Sequence, residues 1–163
     1  FFFKQKTAYE MVGIMNAVHG MDRGAGLDII LHTPGGRIAA AETIVNDLKL
    51  LFGNDIRTIV PQLAMSAGTL IALSCRSIVM GKQSSIGPID PQLYHIPAQL
   101  IKKEFDEAAA EILQTPNKAA YWQVRLGKFP PTAYYQATLA MDRARTMARD
   151  WLLGNMLKSG YRC

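Results

Sequence analysis

The sequence has few cysteines and no long apolar run, and both scarcities narrow the class of protein. Cys75 and Cys163 are the two cysteines among 163 residues, and they lie too far apart for any metal-ligand spacing. We therefore predict no metal site, and the cysteine usage favours a reducing compartment. No apolar segment approaches the roughly 20 residues that span a bilayer, and the start has no secretory signal pattern. The cytoplasm is then the default location, with membrane association through a partner or through further segments left open.

Nucleotide-binding and nucleic-acid-binding motifs are also missing. No glycine-rich phosphate loop with its lysine and hydroxyl residue occurs, so any ATP dependence would come from a partner ATPase. The net charge is +5, but the basic residues are scattered and are not interleaved with aromatic residues. Their mild concentration at Arg143, Arg145 and Arg149 is typical of a solvated helix face. We expect no cofactor and no nucleic-acid partner.

Length and composition fit one globular domain, because 49% of the residues are hydrophobic and 19% are charged. Phe1–Phe3 followed by Lys4–Glu10 looks like the translation of a homopolymer run and a sequencing adapter. We therefore predict that residues 1–10 are a non-native leader. Residues 11–163 are predicted to be a single domain. The abrupt end at Gly160–Cys163 favours a chain truncated at both ends.

Strand and helix patterns alternate along the first half of the chain. This order predicts a βαβ arrangement with a mostly parallel sheet, hence an α/β fold with helices at the C-terminal end. The predicted strands are Leu27–His32, Ile56–Val60 and Ser77–Met80. The predicted helices are residues 12–21, Ile38–Phe52, Ser66–Cys75, Pro97–Gln114, Asn117–Leu126 and Pro130–Lys158, with a polar loop at Gly81–Pro91.

Ser66 follows a predicted strand and precedes a helical apolar run, with Ala67 and Gly68 directly after it. A serine on such a turn holds its hydroxyl clear of the sheet edge, where it can act as a nucleophile. The alternative is that Ser66 merely caps the helix, since serine is a favoured N-cap residue.

Gly35 and Gly36 end the strand before, in the segment Thr33-Pro34-Gly35-Gly36. Their N–H groups have no sheet partner and no side chain to shield them, so they can donate to a developing oxyanion, as can the N–H of Ala67. The alternative is a plain connection between a strand and a helix. Because ligands bind at the carboxyl ends of parallel strands, we expect this turn and Ser66 to share one edge of the sheet.

Three segments together resemble a known family: Leu31–Gly36, Met65–Thr69 and Gly81–Gln92. They are similar, in this order, to the serine dehydrogenase proteinase family, which is related to the Clp protease and signal-peptide peptidase proteins. The resemblance covers nearly all of the chain from Met11 onward. It implies the repeated β-β-α core of the ClpP/crotonase fold and a serine peptidase acting on a peptide or protein. Ser66 would be the nucleophile, and Gly35, Gly36 and Ala67 would form the oxyanion hole.

The proton acceptor does not carry over from the family. Where Clp-type relatives place a histidine, this chain has residues 89–91, and the nearest histidine is His95. Where signal-peptide peptidases place a lysine, the chain has Lys102 and Lys103. Asp90 is a candidate to orient the base. His32 is expected to be a satisfied structural histidine that braces the Gly35 turn.

Two other functions stay open at this point. The same fold supports acyl-CoA chemistry of the crotonase type, which would use the Gly35 turn without needing Ser66. The domain could also be a degenerate peptidase that serves as an assembly module, because no complete triad is visible. The resemblance further implies a homo-oligomer.

Overall fold

The computed structural model describes Phe2–Phe3 and residues 16–158, which fall into two compact units. The first unit comprises Phe1–Ile89 and Thr146–Cys163, and the second comprises Asp90–Arg145. The prediction of a non-native leader falls largely outside the described residues, as do residues 12–15 of the first predicted helix. Residues 16–18 of that helix are helical. The prediction of a single domain stays a prediction.

The first unit is built on a parallel sheet flanked by helices, so the predicted α/β class is confirmed. Its strands are β1 (Phe2–Phe3), β2 (Leu27–Leu31), β3 (Ile56–Val60), β4 (Leu63–Ala64), β5 (Ser77–Met80) and β6 (Ser85–Ile86). Four of them form one parallel sheet in the order β1-β2-β3-β5, in which Ile29 lies opposite Thr58 and Thr58 opposite Ile78. The strands β4 and β6 form a separate parallel pair.

Two helices cross between the strands of the first unit: α1 (Ile38–Phe52) and α2 (Ala67–Leu73). The predicted apolar stripe of α1 is buried, since Ala41, Ile44, Val45, Leu48 and Phe52 all belong to the hydrophobic core. Removing these side chains from water is the main stabilising contribution to such a packing. The packed sheet and α1 therefore support the turns that follow the carboxyl ends of the strands.

The far end of the first unit is closed by a short π-helical segment, Leu152–Met156. Asn155 in this segment is buried, and its amide donates to the main-chain oxygen of Ser74 at 3.0 Å and to that of Asn54 at 3.4 Å. Ser74 directly follows α2, and Asn54 follows α1 after one intervening residue, Gly53. The last described stretch thus satisfies backbone acceptors at two helix ends that no helical N–H can reach.

The second unit is a small hairpin followed by helices. Its elements are β7 (Gln92–Leu93), β8 (Ile96–Pro97), α3 (Ala98–Gln114), a 3₁₀ turn (Pro116–Lys118), α4 (Ala119–Leu126) and α5 (Ala133–Trp151), whose last residues belong to the first unit. Its core is formed by Ala98, Ile101, Ala133 and Ala137. Ala98 and Ile101 of α3 thus share one core cluster with Ala133 and Ala137 of α5.

The structure differs from the sequence-based prediction at several elements, among them the unpredicted short strands β4, β7 and β8. The segment predicted as the loop Gly81–Pro91 contains the strand β6. The predicted helix Asn117–Leu126 begins as a 3₁₀ turn, and the predicted helix Pro130–Lys158 is α-helical only over Ala133–Trp151. Within the described residues, no helix combines the length and hydropathy needed to cross a membrane.

Candidate active site

Ser66 has an unusual backbone conformation, with φ +50° and ψ −113°. Residues other than glycine rarely adopt a positive φ, and such strain is held in place by surrounding structure, often at functional sites. Ser66 occupies the N-cap position of α2, yet its hydroxyl makes no capping hydrogen bond. A serine that serves as a cap accepts a hydrogen bond from the second or third helical N–H. The geometry therefore disfavours the alternative that Ser66 merely caps the helix, and its hydroxyl is not used in a capping hydrogen bond.

Thr33 joins the end of β2 to the segment that carries Ser66. Its N–H donates to the carbonyl oxygen of Leu63 at 3.0 Å, and its own carbonyl oxygen accepts from the N–H of Met65 at 3.0 Å. This pair of bonds continues parallel pairing beyond the regular strands. As a result, the turn that follows Thr33 and the turn that holds Ser66 lie side by side, as the sequence predicted.

Gly35 packs directly against the serine. A Cβ atom built on Gly35 would lie 3.1 Å from the Cβ of Ser66 and 3.2 Å from the carbonyl oxygen of Met65. The φ of Gly35 is +118°, a conformation that only glycine adopts easily. Glycine is therefore required here for two reasons, the backbone conformation and the space beside the serine.

The backbone donors near Ser66 are not equivalent. The N–H of Gly35 donates to the Thr33 hydroxyl at 3.1 Å, and that hydroxyl lies 3.2 Å from the carbonyl oxygen of Gly35. The N–H groups of Gly36 and Ala67 donate to no acceptor in the part of the chain that the structure describes. An oxyanion hole needs donors that are not already used. Gly36 and Ala67 meet this condition, whereas Gly35 shapes the turn.

The segment after β5 supports the serine turn from the other side. The N–H of Gly87 donates to the carbonyl oxygen of Ala64 at 3.1 Å. The Thr69 hydroxyl lies 2.8 Å from the carbonyl oxygens of both Ala64 and Gly87, and its one proton serves them in turn. A Cβ on Gly87 would lie 2.0 Å from the Met65 sulfur, so a larger residue there would require the flexible Met65 side chain to move. All three segments that carry the family resemblance thus meet around Ser66.

A second glycine permits the contact between the serine helix and Thr33. A Cβ atom built on Gly68 would lie 2.3 Å from the Thr33 methyl group, far inside van der Waals contact. Thr33 is itself buried, with 3% of its surface exposed, so it has little freedom to move away. The absence of a side chain at Gly68 is therefore a condition for the placement of the Gly35 turn.

The turn is braced by Thr33, and not by His32 as predicted. The Nδ1 atom of His32 is buried and has no hydrogen-bond partner among the described residues. Sequence reasoning also gave no role to Thr33 or Thr69. A signal for Thr33 was present, since a threonine two residues before a glycine commonly bonds to the backbone of a turn.

The candidate bases belong to the second unit. Lys102 lies 2.5 Å from the Asp106 carboxylate, and its ammonium nitrogen lies 5.2 Å from the centre of the Tyr134 ring. Hydrogen bonds to Asp106 and then to Tyr134 raise the pKa of Lys102. A general base at neutral pH needs the opposite shift. In this arrangement Lys102 is held in its charged form.

The remaining candidates are less tightly held. Lys103 is exposed and lies 3.6 Å from the Glu107 carboxylate. His95 is exposed in the turn between β7 and β8 and has φ +63°. Asp90 accepts a long hydrogen bond, 3.5 Å, from the Gln99 amide. The structure thus groups Ser66 with its backbone donors in the first unit and the candidate bases with Asp90 in the second.

The described part of the chain contains no candidate metal centre. Across Phe2–Phe3 and residues 16–158, no three side chains of histidine, cysteine, aspartate or glutamate come together in a way that would hold a metal ion. The first-unit turns offer the Ser66 hydroxyl and the unpaired N–H groups of Gly36 and Ala67, which are the kinds of group that acyl transfer uses.

Comparison with known proteins identifies a family for this chain. The model of a family described as ClpP-like SDH-type serine proteinases matches residues 3–116. The uncharacterized protein MJ0137 of Methanocaldococcus jannaschii is 38% identical over 109 residues, which are 67% of this chain and 38% of that protein. The uncharacterized protein MJ1495 of the same organism is 36% identical over 105 residues, which are 63% of this chain and 35% of that protein. The chain therefore spans little more than a third of these relatives. No solved structure matches it.

Proposed function

We propose, on the premise that the chain belongs to the ClpP-like SDH-type serine proteinase family, that it hydrolyses peptide bonds through Ser66. One observation supports this proposal most directly. Ser66 has a strained backbone, its hydroxyl makes no capping hydrogen bond, and it packs against Gly35. Strain of this kind costs about 1–3 kcal/mol and persists only where the surroundings enforce it. Here those surroundings are Thr33 on one side and the Gly87 segment on the other.

The proposed chemistry begins with attack by the Ser66 oxygen on the carbonyl carbon of the peptide. The carbonyl oxygen becomes an oxyanion, which accepts hydrogen bonds from the N–H groups of Gly36 and Ala67. The serine proton passes to the base and then to the leaving amine as the C–N bond breaks. Water hydrolyses the resulting ester and restores the hydroxyl. One oxyanion donor is worth about 10²–10³ in rate.

The candidates for the base are Lys102, Lys103 and His95, and Asp90 is the candidate to orient it. Lys102 becomes a base only after its pair with Asp106 is broken, because that pair raises its pKa. If Lys102 is the base, Asp106→Asn should lower its pKa and move the pH profile of Ser66 reactivity to lower pH. Lys103→Ala should then leave the profile unchanged. If the pH profile of Ser66 reactivity is unchanged by Asp106→Asn and changes only in His95→Ala, the base is His95.

The peptidase proposal is favoured over acyl-CoA chemistry by the same serine. Crotonase-type catalysis needs two backbone donors and a carboxylate, but gives no reason for a strained hydroxyl residue beside them. The finer fold prediction, a repeated ClpP/crotonase core, and a homo-oligomeric assembly are part of this proposal. Sedimentation velocity of the full-length protein tests the assembly, and a stable monomer would contradict it.

The decisive experiment is labelling of the full-length protein with a fluorophosphonate, followed by intact mass spectrometry. The wild type should gain one adduct, and Ser66→Ala should gain none. Ser85→Ala is the matched control, because Ser85 is an exposed serine on β6 in the same unit. It should label like the wild type. If the folded wild type gains no adduct, or if Ser66→Ala labels equally, Ser66 is not an activated nucleophile.

A further inference from the structure

The second unit contains a cavity of about 620 Å³ that none of the chemistry above uses. It is lined by Tyr94, Ile96, Glu104, Arg125, Lys128, Phe129 and Pro130. This volume lies in the range of small-ligand sites, which are mostly apolar with a few charged or polar groups that fix orientation. Four apolar or aromatic residues and three charged ones fit that description.

One wall of the cavity is formed by a strained hairpin turn. Tyr94 and His95 both have positive φ, +56° and +63°, at the two central positions between β7 and β8. Such turns normally use asparagine and glycine, so two bulky residues here carry a conformational cost. The Tyr94 hydroxyl donates to the Gln136 side chain at 2.7 Å. That bond fixes the tyrosine ring at the cavity although 48% of the residue is exposed.

The charged side of the cavity has one positive charge in excess. Arg125 forms an ion pair with Glu104, and it is held further by the Tyr121 hydroxyl at 3.0 Å and by the face of the Trp122 ring. Lys128 has no hydrogen bond and no ion pair within the described residues. The paired charges cancel, so Lys128 is the group left to attract an anion.

We infer that this cavity binds the C-terminal end of a peptide. A bulky apolar last side chain would lie against Ile96, Phe129 and Pro130, and its carboxylate would meet Lys128. The shared chemistry is a carboxylate joined to an apolar group. The choice of a peptide over another apolar acid rests on the proposed peptidase function. The inference that the cavity binds an apolar carboxylate does not rest on that function. Such a site would hold the C-terminal end of a substrate or product within the second unit.

Calorimetric titration of the full-length protein tests this inference. The protein carries Ser66→Ala so that the probe stays intact, and the probe is N-acetyl-dialanyl-phenylalanine with a free carboxylate. Hydrogen bonds to charged groups are worth enough that losing one should weaken binding about tenfold. We expect that loss from amidation of the probe and also from Lys128→Ala. In the Lys128→Ala protein, the acid and the amide should bind equally.

The matched control is Arg145→Ala, which removes the same charge from an exposed residue of the second unit that does not line the cavity. It should not change binding. No binding of the acid, equal binding of acid and amide by the parent protein, or an unchanged preference in Lys128→Ala would overturn the site. Octanoate binding as tightly as the peptide would overturn the peptide assignment. Fluorophosphonate labelling of Ser66 is read separately, so failure of the peptidase proposal cannot be mistaken for failure of this one.

Discussion

Replacing Gly35 by alanine tests the link between the glycine turn and the reactivity of Ser66. Gly35 has φ +118°, so an alanine there carries conformational strain of about 1–3 kcal/mol. The new methyl group would also sit 3.1 Å from the Ser66 Cβ and 3.2 Å from the Met65 carbonyl oxygen. Contacts this short force the neighbour to give way by a few tenths of an ångström. The neighbour in question is the segment Met65–Ser66.

The size of the kinetic effect follows from that displacement. A misplacement of about 1 Å costs about 100-fold in rate. A shift of about 0.3 Å in the serine should therefore slow fluorophosphonate labelling about fourfold, if the loss is exponential in distance. The free energy of unfolding should fall by about 1–3 kcal/mol from the backbone strain, with the short contacts adding to this.

Gly53→Ala separates strain from contact in this experiment. Gly53 also has a positive φ, +63°, but a Cβ atom there would meet nothing within 4 Å. This variant should lose stability in urea unfolding and still label at the wild-type rate. If folded Gly35→Ala also labels at the wild-type rate, the Gly35 turn does not border the reacting serine, and the proposed site is wrong.

Three further measurements test individual contacts. Thr69→Val removes the hydroxyl donor of the Gly87 oxygen, whereas the Ala64 oxygen keeps the Gly87 N–H, and the change should cost about 1–3 kcal/mol in urea unfolding; no change would mean that the hydroxyl does not hold the segment. The hydrogen bond from Arg57 lowers the pKa of Asp28 below its ordinary value of 3.8, so its contribution is complete above pH 3.8 and lost as pH falls through the lower pKa of the folded state. Asp28→Asn should remove the part of the pH dependence that appears as pH falls below 3.8, and an unaltered dependence would contradict the pairing. Burial raises the pKa of Cys75, so peptide mapping should find it alkylated by iodoacetamide only after unfolding. Alkylation of the native protein would contradict its burial.

The regular elements of the first unit follow from local patterns, which is why the sequence predicts them well. Ile56–Val60 was predicted with the observed bounds because β-branched residues run up to a proline. The stripe on α1 was found because its apolar positions repeat with the period of a helix. The neighbourhood of Ser66 and Gly35 was also predictable, since parallel strands bring their carboxyl ends to one edge.

Other features of the site depend on partners that are distant in the chain. The strands β4 and β6 have two residues each, too few to show any period, and they exist because they pair with each other. The use of the Gly35 N–H by Thr33 is a matter of hydrogen-bond geometry, which composition does not reveal. The turn at Tyr94 and His95 lacks the asparagine and glycine that normally indicate a tight hairpin.

The amide of Asn155 has a consequence for the order in which the protein is completed during synthesis. It donates to main-chain oxygens 81 and 101 residues earlier, so the first unit consists of two stretches with the second unit inserted between them. A ribosome releases the whole of Asp90–Arg145 before it releases Asn155. Contacts with such long sequence separation form late and slow folding. The first unit, which carries the Ser66 turn, is therefore completed only after Asn155 has been synthesised. Until then the main-chain oxygens of Asn54 and Ser74 bind water.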